Sequence, residues 1–172
     1  MGLHRLLVLD QILGGFALLA MKPFVLLLGV ILRRDHTLEP KGDILVMKLL
    51  GAGSLYIALP NLLSLRRAFP DRRIHLLTTA PVAAFARTLG VFDTVHVIDT
   101  SGLGAMLASA WRAYRSLFGI DTVIDLEIHS RSVTLFALAT MSRNRLAFYI
   151  SEPFWKRRIS THLLYLSLAA PI

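Results

Sequence analysis

From residue 43 onward the sequence alternates short apolar runs with helical patterns, and this alternation restricts the fold more than any other feature. The apolar runs have the length and composition of buried strands, and they lie at residues 44–48, 73–78, 94–99, 121–127 and 145–150. Helical patterns follow them at residues 54–68, 81–89, 103–117, 131–141 and 159–169. Strands that alternate with helices in this way predict an α/β fold with a Rossmann-like, doubly wound parallel sheet.

A doubly wound sheet also predicts where a ligand lies, because ligands bind beyond the carboxyl ends of its strands. The loops concerned span residues 49–54, 78–81, 99–102 and 127–131. The first loop runs from a strand through two glycines, in "GAGS", into a helix. Gly51 and Gly53 are expected to let the backbone approach a ligand closely, and Ser54 is expected to cap the helix that follows.

This glycine loop lacks the features of the common nucleotide-binding fingerprints. A dinucleotide site needs a third glycine where Tyr56 stands, and an acidic residue after the second strand, which ends in two threonines instead. A P-loop would continue with Gly-Lys and then Ser or Thr, and this sequence does not. A nicotinamide- or flavin-dependent oxidoreductase is therefore disfavoured, and no cofactor is expected.

Charge and composition narrow the range of partners. The formal net charge is +8 at pH 7, and basic residues cluster at Arg33-Arg34, Arg66-Arg67, Arg72-Arg73 and Lys156-Arg157-Arg158. Such a surface suits nucleic acid, anionic lipid headgroups or a phosphorylated substrate. No nucleic-acid-binding motif is present, so nucleic acid is not expected as a partner. The chain has no cysteine and no cluster of His, Asp and Glu with metal-ligand spacing, so no metal site is expected.

The N-terminal residues 1–35 differ from the rest, since residues 3–32 are apolar almost throughout. A transmembrane span fits the length, although Lys22 and Pro23 fall inside it, where a charge is costly and a proline breaks the helix. An interfacial helix on the membrane surface is the second alternative, and an apolar helix pair packed on another domain is the third. We expect a membrane-associated segment here, followed by a polar linker at residues 36–43 and a Rossmann-like domain over residues 44–172.

Two stretches carry a resemblance to a known family. "IALPNLLSLRRAFPDRRIHLLT" and "DTVIDLEIHSRS" resemble the N-terminal half of family 9 glycosyltransferases, the lipopolysaccharide heptosyltransferase group. The match covers roughly residues 43 to 170. The resemblance implies the GT-B fold of two Rossmann-like domains, of which the N-terminal one meets the acceptor and the C-terminal one binds most of the nucleotide-sugar donor. The sequence ends about where the second domain should begin, so it is expected to be either a fragment of a longer enzyme or a protein without the donor half, and to be inactive on its own.

The resemblance also implies a reaction. A sugar, with heptose as one candidate, would pass without a metal from a nucleotide to an anionic lipopolysaccharide-like or lipid-linked acceptor. The enzyme would work on the membrane surface, at the cytoplasmic face of the inner membrane. The alternative is a non-catalytic, membrane-anchored binding module with a Rossmann-like fold.

The resemblance places candidate site residues in two loops. The family's glycine loop ends in an aspartate that is the proposed base, and Ser54 stands there instead; a serine hydroxyl cannot act as a base near neutral pH. Glu127 is the substitute that we predict, as the base for the acceptor hydroxyl or as its orienter, with His129 nearby. The alternative is that Glu127 pairs with Arg131 and only holds the loop. Lys48 is expected either to contact an acceptor phosphate or to be a solvated strand end.

Overall fold

The computed structural model describes residues 3–32, 37–150, 156 and 159–166. In chain order its elements are α1 (Leu3–Leu32), β1 (Ile44–Met47), α2 (Ala52–Ile57), α3 (Leu59–Ala68), β2 (Ile74–Thr79), α4 (Ala80–Thr88), β3 (Thr94–Ile98), α5 (Leu103–Leu117), β4 (Thr122–Asp125), α6 (Arg131–Ala139), β5 (Asn144–Tyr149) and β6 (His162–Tyr165). The strands form one six-stranded sheet in the order β3-β2-β1-β4-β5-β6.

Every strand pair in this sheet is parallel, which confirms the predicted Rossmann-like architecture. β1 lies in the middle because all of its residues are apolar, and all of them are fully buried. The strand order runs from β1 through β2 to β3 in one direction and through β4 to β6 in the other. The chain therefore reverses its winding between β1 and β4, which is where such sheets bind ligands.

Helices cover both faces of the sheet, because successive side chains of a strand point to opposite sides. Ile44 and Val46 face α2, α3 and α4, whose buried residues include Leu55. Leu45 and Met47 face the other way, toward the buried side chains of α5 and α6. The core is thus two apolar layers separated by the sheet.

α1 packs on α6, on the same side of the sheet as α5. Leu18 is almost fully buried against Leu138 and Ile159. The two helices approach closely at Gly14, where an added Cβ atom would lie 2.9 Å from the Cβ atom of Arg131. Within the described residues, no helix combines the length and the hydropathy that crossing a membrane requires.

The linker is fixed to the amino-terminal edge of the sheet. The Arg143 guanidinium donates to the carbonyl oxygen of Glu39 at 2.7 Å, and the side chain of Asn144 donates to the carbonyl oxygen of Thr37. Asp121 accepts from the backbone N–H of Lys41 at 2.9 Å. Residues 33–36, at the predicted boundary between the N-terminal segment and the linker, lie outside the described residues.

The predicted helix over residues 159–169 is wrong in its described part. His162–Tyr165 form strand β6, which pairs in parallel with β5, and residues 167–169 lie outside the described residues. A short apolar run such as "HLLYL" fits a strand as well as a helix, so periodicity cannot separate the two. The backbone N–H and C=O groups along the edge of β5 favour the strand over the helix, because they pair with the backbone of β6.

Two further differences from prediction involve the segments that follow β1 and β4. The single helix expected over residues 54–68 is two helices, α2 and α3, which meet at Ala58. Pro60 lies in the first turn of α3, where its missing N–H costs least. The fourth strand was expected to reach residue 127 but β4 ends at Asp125, so Glu127 lies in the loop that follows.

Candidate functional site

The candidate site lies at the carboxyl ends of β1 and β4, the two strands that flank the switch point. Met47 of β1 is in register with Asp125 of β4. The glycine loop, which in the structure spans residues 48–51 between β1 and α2, and the loop after β4, residues 126–130, are therefore neighbours. The predicted site residues in these loops meet because of this pairing, although they are almost eighty residues apart in sequence.

Glu127 holds the glycine loop. One carboxylate oxygen, Oε1, accepts from the backbone N–H groups of Leu49 at 2.8 Å and Leu50 at 2.9 Å. The other oxygen, Oε2, lies 3.2 Å from Nζ of Lys48. The side chains of Lys48 and Glu127 are only 10% and 12% exposed, so this ion pair is well shielded from water. The geometry gives Glu127 an orienting role in the loop, and its action as a base stays a prediction.

The same loop is held from its other side by β2. Thr78 donates its hydroxyl hydrogen to the carbonyl oxygen of Lys48, and Thr79 donates to that of Leu49 at 2.6 Å. The amides of the loop are thus bound by Glu127 and its carbonyls by two threonines. In the sequence, these threonines indicated only that no ribose-binding carboxylate follows the second strand.

Lys156, which the sequence pattern places with the basic surface residues, is instead buried and supports the loop after β4. Lys156 is 1% exposed, and its Nζ donates to the carbonyl oxygens of Glu127 at 2.6 Å and Phe148 at 3.2 Å. It also contacts Oδ2 of Asp125 at 3.2 Å. The other oxygen of Asp125 accepts from the backbone N–H of Glu127 at 2.9 Å. Lys156 and Asp125 therefore fix the backbone from which Glu127 reaches the glycine loop.

Burial works against both charges of this pair. It raises the pKa of Asp125, and the ammonium of Lys156 opposes that rise. Burial likewise lowers the pKa of Lys156, and Asp125 opposes the fall. The hydrogen bonds favour the charged pair, because Nζ donates to three acceptors and only an ammonium carries three hydrogens. No local sequence signal distinguishes Lys156 from the two arginines that follow it.

Ser54 does not cap the helix as predicted. α2 begins at Ala52, so Ser54 lies inside its first turn, and the N-cap position is taken by Gly51 without a side-chain bond. The Ser54 hydroxyl instead donates to the carbonyl oxygen of Gly51 at 2.8 Å. Gly51 has φ 80°, a left-handed conformation that favours glycine. Gly53 has open space around it, since a Cβ atom added there would meet nothing within 4 Å.

The remaining predicted residues lie around the loop after β4. His129 is exposed in that loop. Arg131 opens α6 and lies against α1, where a Cβ atom added to Gly15 would be 2.5 Å from its Nη1 atom. Lys48 is 8% exposed, so it is not the solvated strand end that was one alternative. Within the described ranges, no group of three or more His, Asp and Glu side chains could hold a metal ion.

The fold and the site define a Rossmann-like α/β domain with its loops gathered at the switch point of the sheet. The solved structures to which the chain is similar include glycosyltransferases. The chain is similar to a family 9 glycosyl transferase from Veillonella parvula, with 20% identity and a TM-score of 0.61 over 75% of this chain and 37% of that one. The predicted resemblance to family 9 is thereby confirmed at the level of the fold.

A heptosyltransferase has the same fold. The Escherichia coli heptosyltransferase WaaC with ADP matches with 14% identity and a TM-score of 0.57, over 73% of this chain and 42% of that one. Its complex with ADP-2-deoxy-2-fluoro heptose matches with 12% identity and a TM-score of 0.56, over 74% and 44%. The chain thus spans less than half the length of these proteins. No protein-family model and no curated protein matches the sequence.

Proposed function

We propose that this chain is the acceptor-side half of a glycosyltransferase that moves a sugar from a nucleotide to a glycan or glycolipid. The observation that carries the proposal is the glycine loop at the switch point, whose amides are bound by Glu127 and whose carbonyls are bound by Thr78 and Thr79. A loop fixed on both sides presents its outer surface to a ligand in one geometry, which is what acceptor positioning requires. The likeness in fold to a heptosyltransferase solved with ADP supports a nucleotide-sugar as the donor.

The reaction joins an acceptor hydroxyl to the anomeric carbon of the donor sugar. The hydroxyl oxygen forms the new bond, the bond from the anomeric carbon to the nucleoside diphosphate breaks, and the hydroxyl proton passes to a base. The diphosphate leaves with its negative charge, which basic groups neutralise. We assign the donor contacts mainly to a second domain, and the acceptor contacts to the glycine loop with the exposed His129 beside it.

We assign roles in this scheme to five of the predicted residues. Gly51 provides the left-handed turn, and Gly53 leaves open space next to the ligand. Lys48 and Glu127 hold the loop, with Glu127 also the candidate base. Ser54 closes the turn through the carbonyl oxygen of Gly51. We place the enzyme at the cytoplasmic face of the inner membrane, with a heptose as the candidate sugar and an anionic lipopolysaccharide-like acceptor.

Turnover of the protein made from its native reading frame tests this proposal. ADP-heptose and other nucleotide-sugars would be supplied with a lipopolysaccharide-type acceptor, and release of the nucleoside diphosphate would be measured. We expect Glu127→Gln to lower kcat at least tenfold. Gln keeps the shape of the side chain but cannot take up the hydroxyl proton, so unchanged turnover would exclude Glu127 as the base.

The second candidate function is a non-catalytic binding module. Ser54 favours it, because a hydroxyl stands where the family carries its proposed base. In that case no nucleotide-sugar is consumed, while the acceptor still binds and protects the glycine loop from hydrogen exchange.

A further inference from the structure

α5 has two apolar stripes, and the sheet covers only one of them. The buried stripe includes Ala113 and Leu117, which pack into the core with Val123 of β4. The second stripe runs along another side of the helix at intervals of three or four residues, a spacing that places side chains in a row. Its members are Leu103, Leu107, Trp111, Tyr114 and Phe118.

The second stripe is largely in water. Leu103 is 62% exposed, Leu107 and Trp111 are each 60% exposed, and Phe118 is 58% exposed. Tyr114 stacks on Trp111 with ring centroids 5.3 Å apart and makes an edge contact with Phe118 at 5.6 Å. Burying one such side chain fully is worth about 1.5–3 kcal/mol. A stripe of this size is therefore typical of an interaction surface.

A second helix on this side of the sheet also exposes apolar side chains. Tyr114 also contacts Phe136 of α6, with ring centroids 6.5 Å apart, so the stripe lies on the side of α5 that faces α6. Across α6 lies α1, which buries Leu18 and exposes large apolar side chains on its other sides. These are Ile12, Leu13, Phe16, Leu19, Phe24 and Leu27. We call the α5 stripe the apolar face.

Cations border the apolar face. α5 and α6 contain Arg112, Arg115 and Arg131 and no Asp or Glu, and Arg112 and Arg115 are exposed. Exposed Trp and Tyr side chains favour the headgroup level of a bilayer, while guanidinium groups favour anionic lipid headgroups. The net charge of +8 adds a long-range attraction to an anionic surface.

We propose that the apolar face lies flat on an anionic lipid bilayer, with Leu107 and Trp111 at its centre. α5 follows β3, so its first turn, at Leu103, lies at the carboxyl edge of the sheet, on the same edge as the glycine loop. Docked in this way, the candidate site opens beside the membrane surface. This inference rests on the proposed function in one respect, since a glycolipid acceptor would then reach the loop directly from the bilayer.

Vesicle binding tests the proposal without any turnover. The full 172-residue chain would be sedimented with phosphatidylcholine vesicles that do or do not contain phosphatidylglycerol. We expect the double variant Leu107→Glu/Trp111→Glu to bind the anionic vesicles at least tenfold more weakly than the unchanged chain. The matched control is Ile57→Glu/Leu63→Glu, which places two carboxylates at exposed apolar positions on the opposite side of the sheet. This control should bind as the unchanged chain does.

A second measurement locates the contact. Lipids brominated in the acyl chain should quench the fluorescence of the chain, and Trp111→Phe should remove most of that quenching. Equal loss of binding in both double variants, or quenching that Trp111→Phe leaves unchanged, would overturn the proposal. It would also fall if the chain ignored vesicles and formed dimers that Leu107→Glu/Trp111→Glu abolished, since a second copy would then cover the face. Because no donor sugar is present, failure of the proposed reaction leaves this result unaffected.

Discussion

At the scale of single residues, the feature on which stability depends most is the buried pair of Lys156 and Asp125, whose side chains are 1% and 3% exposed. Lys156 joins the end of β4, the loop after it and β5 through one ammonium group. Removing that ammonium leaves a buried carboxylate without its partner, which strongly lowers the free energy of unfolding. Replacing both members of such a pair by apolar residues costs far less.

We therefore predict that Lys156→Met lowers the free energy of unfolding by about 3–5 kcal/mol. The measurement is urea denaturation followed by circular dichroism. Arg115→Met is the matched control, because Arg115 is exposed, and it should change the stability by about 0.5 kcal/mol or less. Asp125→Asn combined with Lys156→Met should recover part of the loss; a Lys156→Met variant as stable as the unchanged chain contradicts the prediction.

A second prediction at this scale concerns pH. Burial raises the pKa of Asp121, but hydrogen bonds from Arg143, the Lys41 amide and Thr122 outweigh it and lower the pKa to about 2. A carboxyl with a lowered folded pKa stabilises the fold above its unfolded pKa and loses that contribution as the pH falls toward the folded value. Asp121 should therefore contribute about 1–2 kcal/mol at neutral pH, lost between about pH 4 and pH 2.

Urea midpoints measured across that pH range check this. Asp121→Asn should be less stable than the unchanged chain at neutral pH, and the difference should shrink as the pH falls to about 2. Asp71→Asn serves as the control, because Asp71 is exposed and lies on the surface turn before β2. A difference between Asp121→Asn and the unchanged chain that is constant with pH would count against the assignment.

At the scale of secondary-structure elements, the contact between α1 and α6 depends on small residues. Gly14 faces α6 so closely that a side chain there would press on the Cβ atom of Arg131. We predict that Gly14→Val costs about 1–3 kcal/mol of packing and loosens α1 from α6. Hydrogen exchange of the α1 amides should accelerate, while the strands of the sheet keep their protection.

Ala20→Val is the matched control for this contact, since Ala20 is exposed on the outer side of the same helix. Both variants place valine in α1, but only Ala20→Val lowers the helix propensity relative to the residue that it replaces. Faster exchange in Gly14→Val alone would therefore come from the close approach to Arg131, whereas equal acceleration in both variants would make that approach unimportant.

At the scale of the whole molecule, the charge of +8 should make membrane binding depend strongly on salt. The Debye length falls from about 10 Å at 0.1 M to about 3 Å at 1 M, which screens exposed arginines from lipid headgroups. We predict that binding to anionic vesicles weakens at least tenfold over this range. Sedimentation at several salt concentrations measures it, and binding that persists unchanged in high salt would argue for a purely apolar contact.

The sequence by itself determined the architecture. Five strands could be predicted because each is a short apolar run between helical patterns, and a fully buried strand such as β1 needs no more than that. Parallel pairing followed from the helices between the strands, and the location of the site followed from the parallel sheet. The glycine loop and Glu127 were visible for the same reason, since both lie at the carboxyl ends of predicted strands.

Only the tertiary structure decided the contacts. Glu127 binds the amides of Leu49 and Leu50 because β4 lies next to β1 in the sheet, and strand order is not encoded in local periodicity. The edge of β5 decided that His162–Tyr165 form a strand, although their apolar pattern also fits a helix. Lys156 is buried because three acceptors from separate parts of the chain converge on it. Local patterns report which face of an element is apolar, whereas partners remote in sequence are fixed only when the elements pack.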